Sequence, residues 1–182
     1  MIKMERLISW VAERHGGQII KKTKLPYFTH LLTVASTSKP FVKFGFEIGL
    51  CHDLLEDTDT SIELLFNTLQ SFGYSFDDAN EITICVKELT DVYTKNDFPF
   101  LSKKARKKRE DKRLTSISPT SQTVKYADLN DNVNWVLKYD KKNAKKYLKK
   151  KRKLLANLDK GNIELRRKLM GLIDKGLDDF KG

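Results

Sequence analysis

The chain has 182 residues, with 35 Lys and Arg against 24 Asp and Glu and a formal net charge of +11. That length suits one domain with a substantial core. No apolar run is long enough for a transmembrane helix, and the amphipathic beginning (Met4, Leu7, Ile8, Val11) is unlike a secretory leader, so a membrane protein is excluded and a cytoplasmic one expected.

Residues 4–15 form a first predicted helix, stopped by Gly16-Gly17 and followed by a basic loop. A second helix spans 27–37, with Leu31, Leu32, Val34 and Ala35 as its buried side, and closes at Ser38-Lys39-Pro40. The third, 41–57, is apolar on most sides, as a central helix should be. Thr60-Ser61-Ile62-Glu63 matches a capping box with Thr60 as cap, opening a helix over 62–72. A further helix begins near Asp77-Asp78, whose acids suit the positive end of the helix dipole, and Tyr93 to Leu101 is a loop. Residues 102–114 form a basic helix, Ser116-Ile117-Ser118-Pro119 interrupts, and Thr120 or Ser121 caps a helix over 121–139. Two last helices, 141–158 and 162–179, are divided by Asp159-Lys160-Gly161. No strand-length alternation and no repeat occur, so the expected fold class is all-α, about eight to ten helices in one bundle. Cys51 and Cys85 each lie in an apolar helical pattern and read as buried thiols in a reducing compartment.

The charge is local. Lys103 to Arg113 holds eight basic and two acidic residues, Lys138 to Lys153 ten and one, and the remainder is net negative. Two strips on an otherwise acidic protein point to assigned tasks rather than general polyanion binding.

The segment His52-Asp53-Leu54-Leu55-Glu56-Asp57-Thr58 carries the chemistry. In a continuous helix His52, Asp53, Glu56 and Asp57 project near one face. An imidazole beside a carboxylate suits manganese, iron(II) or zinc, while two more carboxyls one turn on can orient or deprotonate a water. A solvated acidic helix end is the plain alternative. Two further residues answer a metal's need for ligands from several elements: His30, opening the apolar run of the second helix, and Asp128, flanked by Val124, Ala127 and Leu129, where an unpaired acid is costly to bury.

His30, His52, Asp53 and Asp128, in that order, resemble the signature of the HD-domain metal-dependent phosphohydrolases. Glu56-Asp57-Thr58 after the doublet, Pro26-Tyr27 before the first His, and Lys125-Tyr126-Ala127-Asp128 with Asn132 narrow the likeness to the Rel/SpoT hydrolase branch. Glu88-Leu89-Thr90-Asp91, Arg106-Lys107-Lys108 and Ser118-Pro119 bring it to the small stand-alone alarmone hydrolases typified by the metazoan SpoT homologue, over roughly residues 10–140, with 141–182 as C-terminal helices of the same single domain. The resemblance implies an all-helical enzyme with one Mn(II), Fe(II) or Zn(II) being further options, held by His30, His52, Asp53 and Asp128. It implies removal of the 3'-pyrophosphate from guanosine tetra- or pentaphosphate of the stringent response, with Glu56 and Asp57 as acid-base residues. Arg106 and Lys107 fall where the small hydrolases contact phosphate. Lys21 stands where the family has an Arg, keeping the charge but losing the planar fork. Asn132 is expected to bond ribose or base, and Tyr27 to stack or line the pocket.

Two rivals remain at this level. The same chemistry can act on another nucleotide, since members of the group also release phosphate from NADPH, and an adenosine alarmone fits as well. Alternatively, residues 138–153 can bind nucleic acid or an acidic protein on an HD scaffold; the complete ligand set speaks against that. The partner expected is a small nucleotide, and the sequence carries no signature of a particular oligomer.

Overall fold

The apolar periodicity resolves into ten helical segments in the computed structural model, which describes residues 2–180: α1 (Lys3–Arg14), α2 (Phe28–Ser38), α3 (Gly45–Cys51), α4 (Leu54–Asp57), α5 (Ile62–Ser71), α6 (Phe76–Leu89), α7 (Lys103–Leu114), α8 (Pro119–Tyr139), α9 (Lys141–Asn157) and α10 (Ile163–Asp178). Among the described residues there is no strand, only an isolated bridge between Ile19 and Pro26 in the loop after α1. None of these helices is long and apolar enough to cross a membrane.

Helix α8 is the hub, packing against α2, α3, α6, α9 and α10. Covered on several sides, it buries Val124, Tyr126, Ala127, Leu129 and Val133 and shows no single apolar stripe. Against it lies the hairpin of α2 and α3, whose backbones approach closely because α3 presents glycines four residues apart. A Cβ on Gly45 would meet the Ser38 carbonyl oxygen at 2.4 Å, and one on Gly49 would meet Ala35 Cα at 2.8 Å. Cys51 and Cys85 are buried free thiols, as expected.

Three local expectations are corrected. The helix expected over 41–57 starts only at Gly45, because Phe44 takes the left-handed conformation (φ 56°) that reverses the chain after α2. It then breaks at His52 and Asp53, where Asp53 has φ −101° and ψ 2°. The Gly49 carbonyl, which a continuing helix would offer to residue 53, accepts the His52 Nδ1–H at 2.8 Å. His52, Asp53, Glu56 and Asp57 therefore do not share one helical face. The cap of α5 is Ser61, accepting from Leu64 N at 3.1 Å, not Thr60, whose hydroxyl is bound by Thr58 and Arg14. Likewise α8 is capped by Ser118 with Pro119 in its first turn, because the hydroxyl of Ser121 is drawn to Glu88 at 2.7 Å.

Because the atoms facing Gly49 are backbone and cannot swing away, Gly49→Ala should destabilise the protein by about 1–3 kcal/mol, the usual cost of overpacking. Chemical denaturation reads this directly, and an unchanged midpoint would mean that α2 and α3 are less tightly apposed than described.

Candidate metal centre

Three elements deliver four side chains to one point. His30 comes from the first turn of α2, His52 and Asp53 from the break between α3 and α4, and Asp128 from the middle of α8. Both imidazoles and Asp128 are buried. The Nε2 atom of His52 lies 3.1 Å from Asp53 Oδ2 and 4.0 Å from Asp128 Oδ1, while Nε2 of His30 lies 3.9 and 3.5 Å from the same two atoms. Donor atoms of His30, His52 and Asp53 all fall within 4.8 Å of one another, and Asp128 Oδ1 adjoins both imidazoles at the distances above. The helix break makes this possible, since adjacent residues inside a helix would point about 100° apart.

The surroundings aim these atoms inward. Nδ1–H of His30 donates to Asp131 at 2.6 Å, and Nδ1–H of His52 donates to the Gly49 carbonyl. Each bond leaves Nε2 toward the cluster, the arrangement by which metal-ligating histidines are oriented. Despite its short approach to Asp53, His52 Nε2 is buried without a hydrogen bond. Tyr27 donates its hydroxyl to Asp53 at 2.5 Å, Asn132 donates to Asp128, and Lys125 pairs with Asp128 Oδ2 at 2.8 Å. Two buried nitrogens, one of them unpartnered, and two carboxylates with fixed outer partners fit a divalent ion of intermediate hardness.

Electrostatics follow the geometry. Burial works against charge on His30, yet hydrogen bonds to Asp128 and Asp131 and the charges of Asp128 and Asp53 outweigh it and carry the imidazole up to about 10. For His52 burial is likewise overcome by Asp53 and Asp128. Burial would raise Asp53 and Asp128, but the imidazoles, and for Asp128 also Lys125, hold both below the usual carboxylate range. Burying such ions singly costs several kcal/mol each, so the four groups are stable only together.

Glu56 and Asp57 stand at the solvent-facing rim of this cluster. Glu56 Oε1 accepts the Asp91 N–H at 2.6 Å. Desolvation, opposed by that bond and reinforced by the charges of Asp91 and Asp53, pushes Glu56 up to about 7. Desolvation and Asp53 also raise Asp57. The remaining expected contacts are scattered. Lys21 is exposed in its loop without an ion pair among the described residues, Lys107 is exposed on α7, and Arg106 donates to the Leu101 carbonyl. Asn132 is occupied by Asp128, and Tyr27 by Asp53.

Sequence reasoning passed over several residues. Asp131 and Lys125 sit three residues either side of Asp128 and so share its side of α8, a spacing visible in the sequence. Asp91 gives its amide to Glu56 from across the fold, a contact without any local signal. His15 is buried beside the Tyr27 ring, 5.8 Å between centroids, and bonds through Nδ1 to Gln18, whose amide donates to the Asp57 carbonyl at 2.7 Å. It thus braces the rim from behind.

An all-helical domain with two histidines and two aspartates converging at its centre defines the class of scaffold. No protein-family model matches the chain, and no curated protein matches it in sequence. Among solved structures, the metazoan orthologue of SpoT, described as hydrolysing ppGpp and playing a role in starvation responses, matches with a TM-score of 0.77 over 97% of both chains at 24% identity. The chain has the fold of that protein.

Two outcomes follow from the geometry. Asp131→Ala should weaken metal binding by about 10–100-fold, the usual effect of removing an outer partner, while leaving the helical content intact. Metal titration with circular dichroism as control checks it, and unchanged affinity would remove Asp131 from the site. Second, an ion must displace the proton that His30 carries at neutral pH, because its metal-free value near 10 lies above that pH. Binding should therefore release at least one proton and tighten by about tenfold per pH unit as pH rises toward that value. Calorimetry in buffers of differing ionisation heat counts the protons; no release would contradict ligation through His30 Nε2.

Proposed function

We propose that the protein is a metal-dependent nucleotide phosphohydrolase whose substrate is guanosine 3',5'-bis(diphosphate) or its pentaphosphate, from which it removes the 3'-pyrophosphate. One observation carries the reading: the convergence of His30, His52, Asp53 and Asp128 with a buried, unpartnered Nε2 between two carboxylates. The fold shared with an enzyme described as hydrolysing ppGpp supports the choice of substrate. These four residues would hold one Mn(II), and the same donors accept Fe(II) or Zn(II). When bound, such an ion supplies Lewis-acid activation of water and of a phosphate oxygen.

The chain's own residues do the rest. A water oxygen bonds to phosphorus while the bond from phosphorus to the ribose 3'-oxygen breaks, yielding pyrophosphate and the nucleoside 5'-diphosphate from the tetraphosphate, or the 5'-triphosphate from the pentaphosphate. Glu56, titrating near neutrality, can take the proton that water loses and return it to the departing 3'-oxygen. The neighbouring carboxyl of Asp57 shares that work. Tyr27 keeps Asp53 oriented, and Asn132 with Lys125 keeps Asp128 oriented. Lys21 and Lys107, which make no ion pair among the described residues, are candidate cations for phosphate, whereas Arg106 would have to leave the Leu101 carbonyl to join them.

Glu56→Gln and Asp57→Asn should lower turnover by about 10²- to 10⁴-fold at unchanged metal content. Chromatography of products from a nucleotide panel, including ppGpp, NADPH and an adenosine alarmone, with manganese and after chelation, is the measurement. Full activity in both variants, or cleavage of the panel that survives chelation, would defeat the proposal.

A further inference from the structure

Helix α7 reads in sequence as a basic strip in which Glu110 and Asp111 are the two acids. Folded, its last turn sends Glu110 inward, where it is buried, and leaves Arg113 half-buried three residues on, along the same side of the helix. A carboxylate is costly to bury unless its oxygens are occupied, and both of these are. Oε1 accepts the Arg113 Nε–H at 2.7 Å, and Oε2 accepts the Val92 and Tyr93 amides at 3.1 Å each. The guanidinium reaches past its partner to the end of α6, where Nη1 donates to the Glu88 carbonyl at 2.8 Å and Nη2 to the Thr90 carbonyl at 3.0 Å. Between these anchors lies Asp91, whose N–H donates to Glu56 Oε1 at 2.6 Å.

The Thr90 carbonyl and the Asp91 N–H belong to one planar trans peptide and so point in opposite directions. Arg113 holds one end of that plane, Glu56 receives the other, and Glu110 grips the next N–H, that of Val92. A charge-assisted bond to the carbonyl also polarises the amide, strengthening the donor offered to Glu56. Glu56 sits on the four-residue α4, too short to hold a rim side chain by itself, and its Oε2 makes no hydrogen bond among the described residues. One oxygen is thus fixed and the other left for a proton. We propose that Glu110 and Arg113 are positioning residues for the hydrolysis, an ion pair on α7 that sets the place of Glu56 through the Thr90–Asp91 peptide. The inference rests on the proton-transfer role given to Glu56 above, and it requires neither residue to touch substrate or metal.

The test is a double-mutant cycle read in ppGpp turnover, with amide exchange beside it. Arg113→Met should lower kcat by about 10–100-fold with KM changed less than about twofold, because misplacing a reacting group costs rate rather than affinity. In a Glu56→Gln background the same change should cost less than about twofold, since the group it positions is gone. A merely structural role gives the same loss in both backgrounds; that result, or no loss in Arg113→Met, overturns the proposal. Lys112→Met, on the exposed side of the same turn, should leave turnover unchanged, and a loss there equal to that of Arg113→Met also overturns it. Arg113→Met leaves Glu110 buried without its cation, so should it fail to fold, the double variant Glu110→Gln with Arg113→Met, which buries no charge, replaces it. Amide exchange followed by NMR needs no turnover. The Asp91 amide should exchange at least about tenfold faster in the variant while Leu129, in the core of α8, keeps its rate, and unaltered exchange at Asp91 overturns the positioning. If the unaltered protein turns over no nucleotide yet the variant frees the Asp91 amide, the hydrolase reading fails and the tether from α7 to Glu56 stands.

Discussion

Two carboxylates, half-buried Asp53 and buried Asp128, face the same pair of imidazoles, and the structure depends on keeping that charge tolerable. In a low-dielectric interior two like charges at such separations are strongly unfavourable unless cations and donors surround them. Compensation comes from every side: the Tyr27 hydroxyl, the Asn132 amide, the Lys125 ammonium and the two imidazoles. Each arrives from an element that is itself locked in the core, and the close glycine contact of α3 with α2 sets how near His52 comes to His30, whose ring centroids are 5.3 Å apart. Packing and electrostatics are thus one constraint. A rigid, tightly apposed helix pair is what allows a cluster of ionisable groups to sit where water cannot relax it.

Much of this was legible in the sequence. Periodicity located the helices to within a few residues, since amphipathic faces, Gly16-Gly17 and Asp159-Lys160-Gly161 are local signals. The residue types of the central cluster were legible too, because a buried histidine or aspartate calls for a partner. The break at His52-Asp53 was not. Nothing in Leu50-Cys51-His52-Asp53-Leu54 opposes a helix, and only the bond from His52 to Gly49 and the pull of the tertiary cluster end it there. The caps slipped by one to three residues for a related reason: Thr60 and Ser121 are good cappers by type, but distant partners, Arg14 and Glu88, had already taken their hydroxyls.

The basic strips mark a different limit. Lys149, Lys150 and Lys151 are equivalent as members of a charge run, and composition can only say that most such lysines are solvated. Which one turns inward is decided by the register of α9 on α8, through Ala144, Leu148 and Leu155. The strip at 138–153, which in sequence lies beyond the best-matched region and supports a nucleic-acid reading, is in the fold divided between an exposed face and a half-buried one that carries Tyr147 and Lys151. A helix-length shift of one residue would exchange Lys151 for a neighbour.

The same partition bears on how the site balances rigidity against change. Its inner groups are fixed by buried partners, whereas Glu56 and Asp57 belong to a four-residue helix at the rim, tied down by the Asp91 amide and the Gln18 bridge from His15. Groups that hold an ion gain from immobility, because each misplaced donor loses affinity steeply. Glu56, by contrast, keeps solvent contact at the rim, while partial desolvation among carboxylates raises it to about 7.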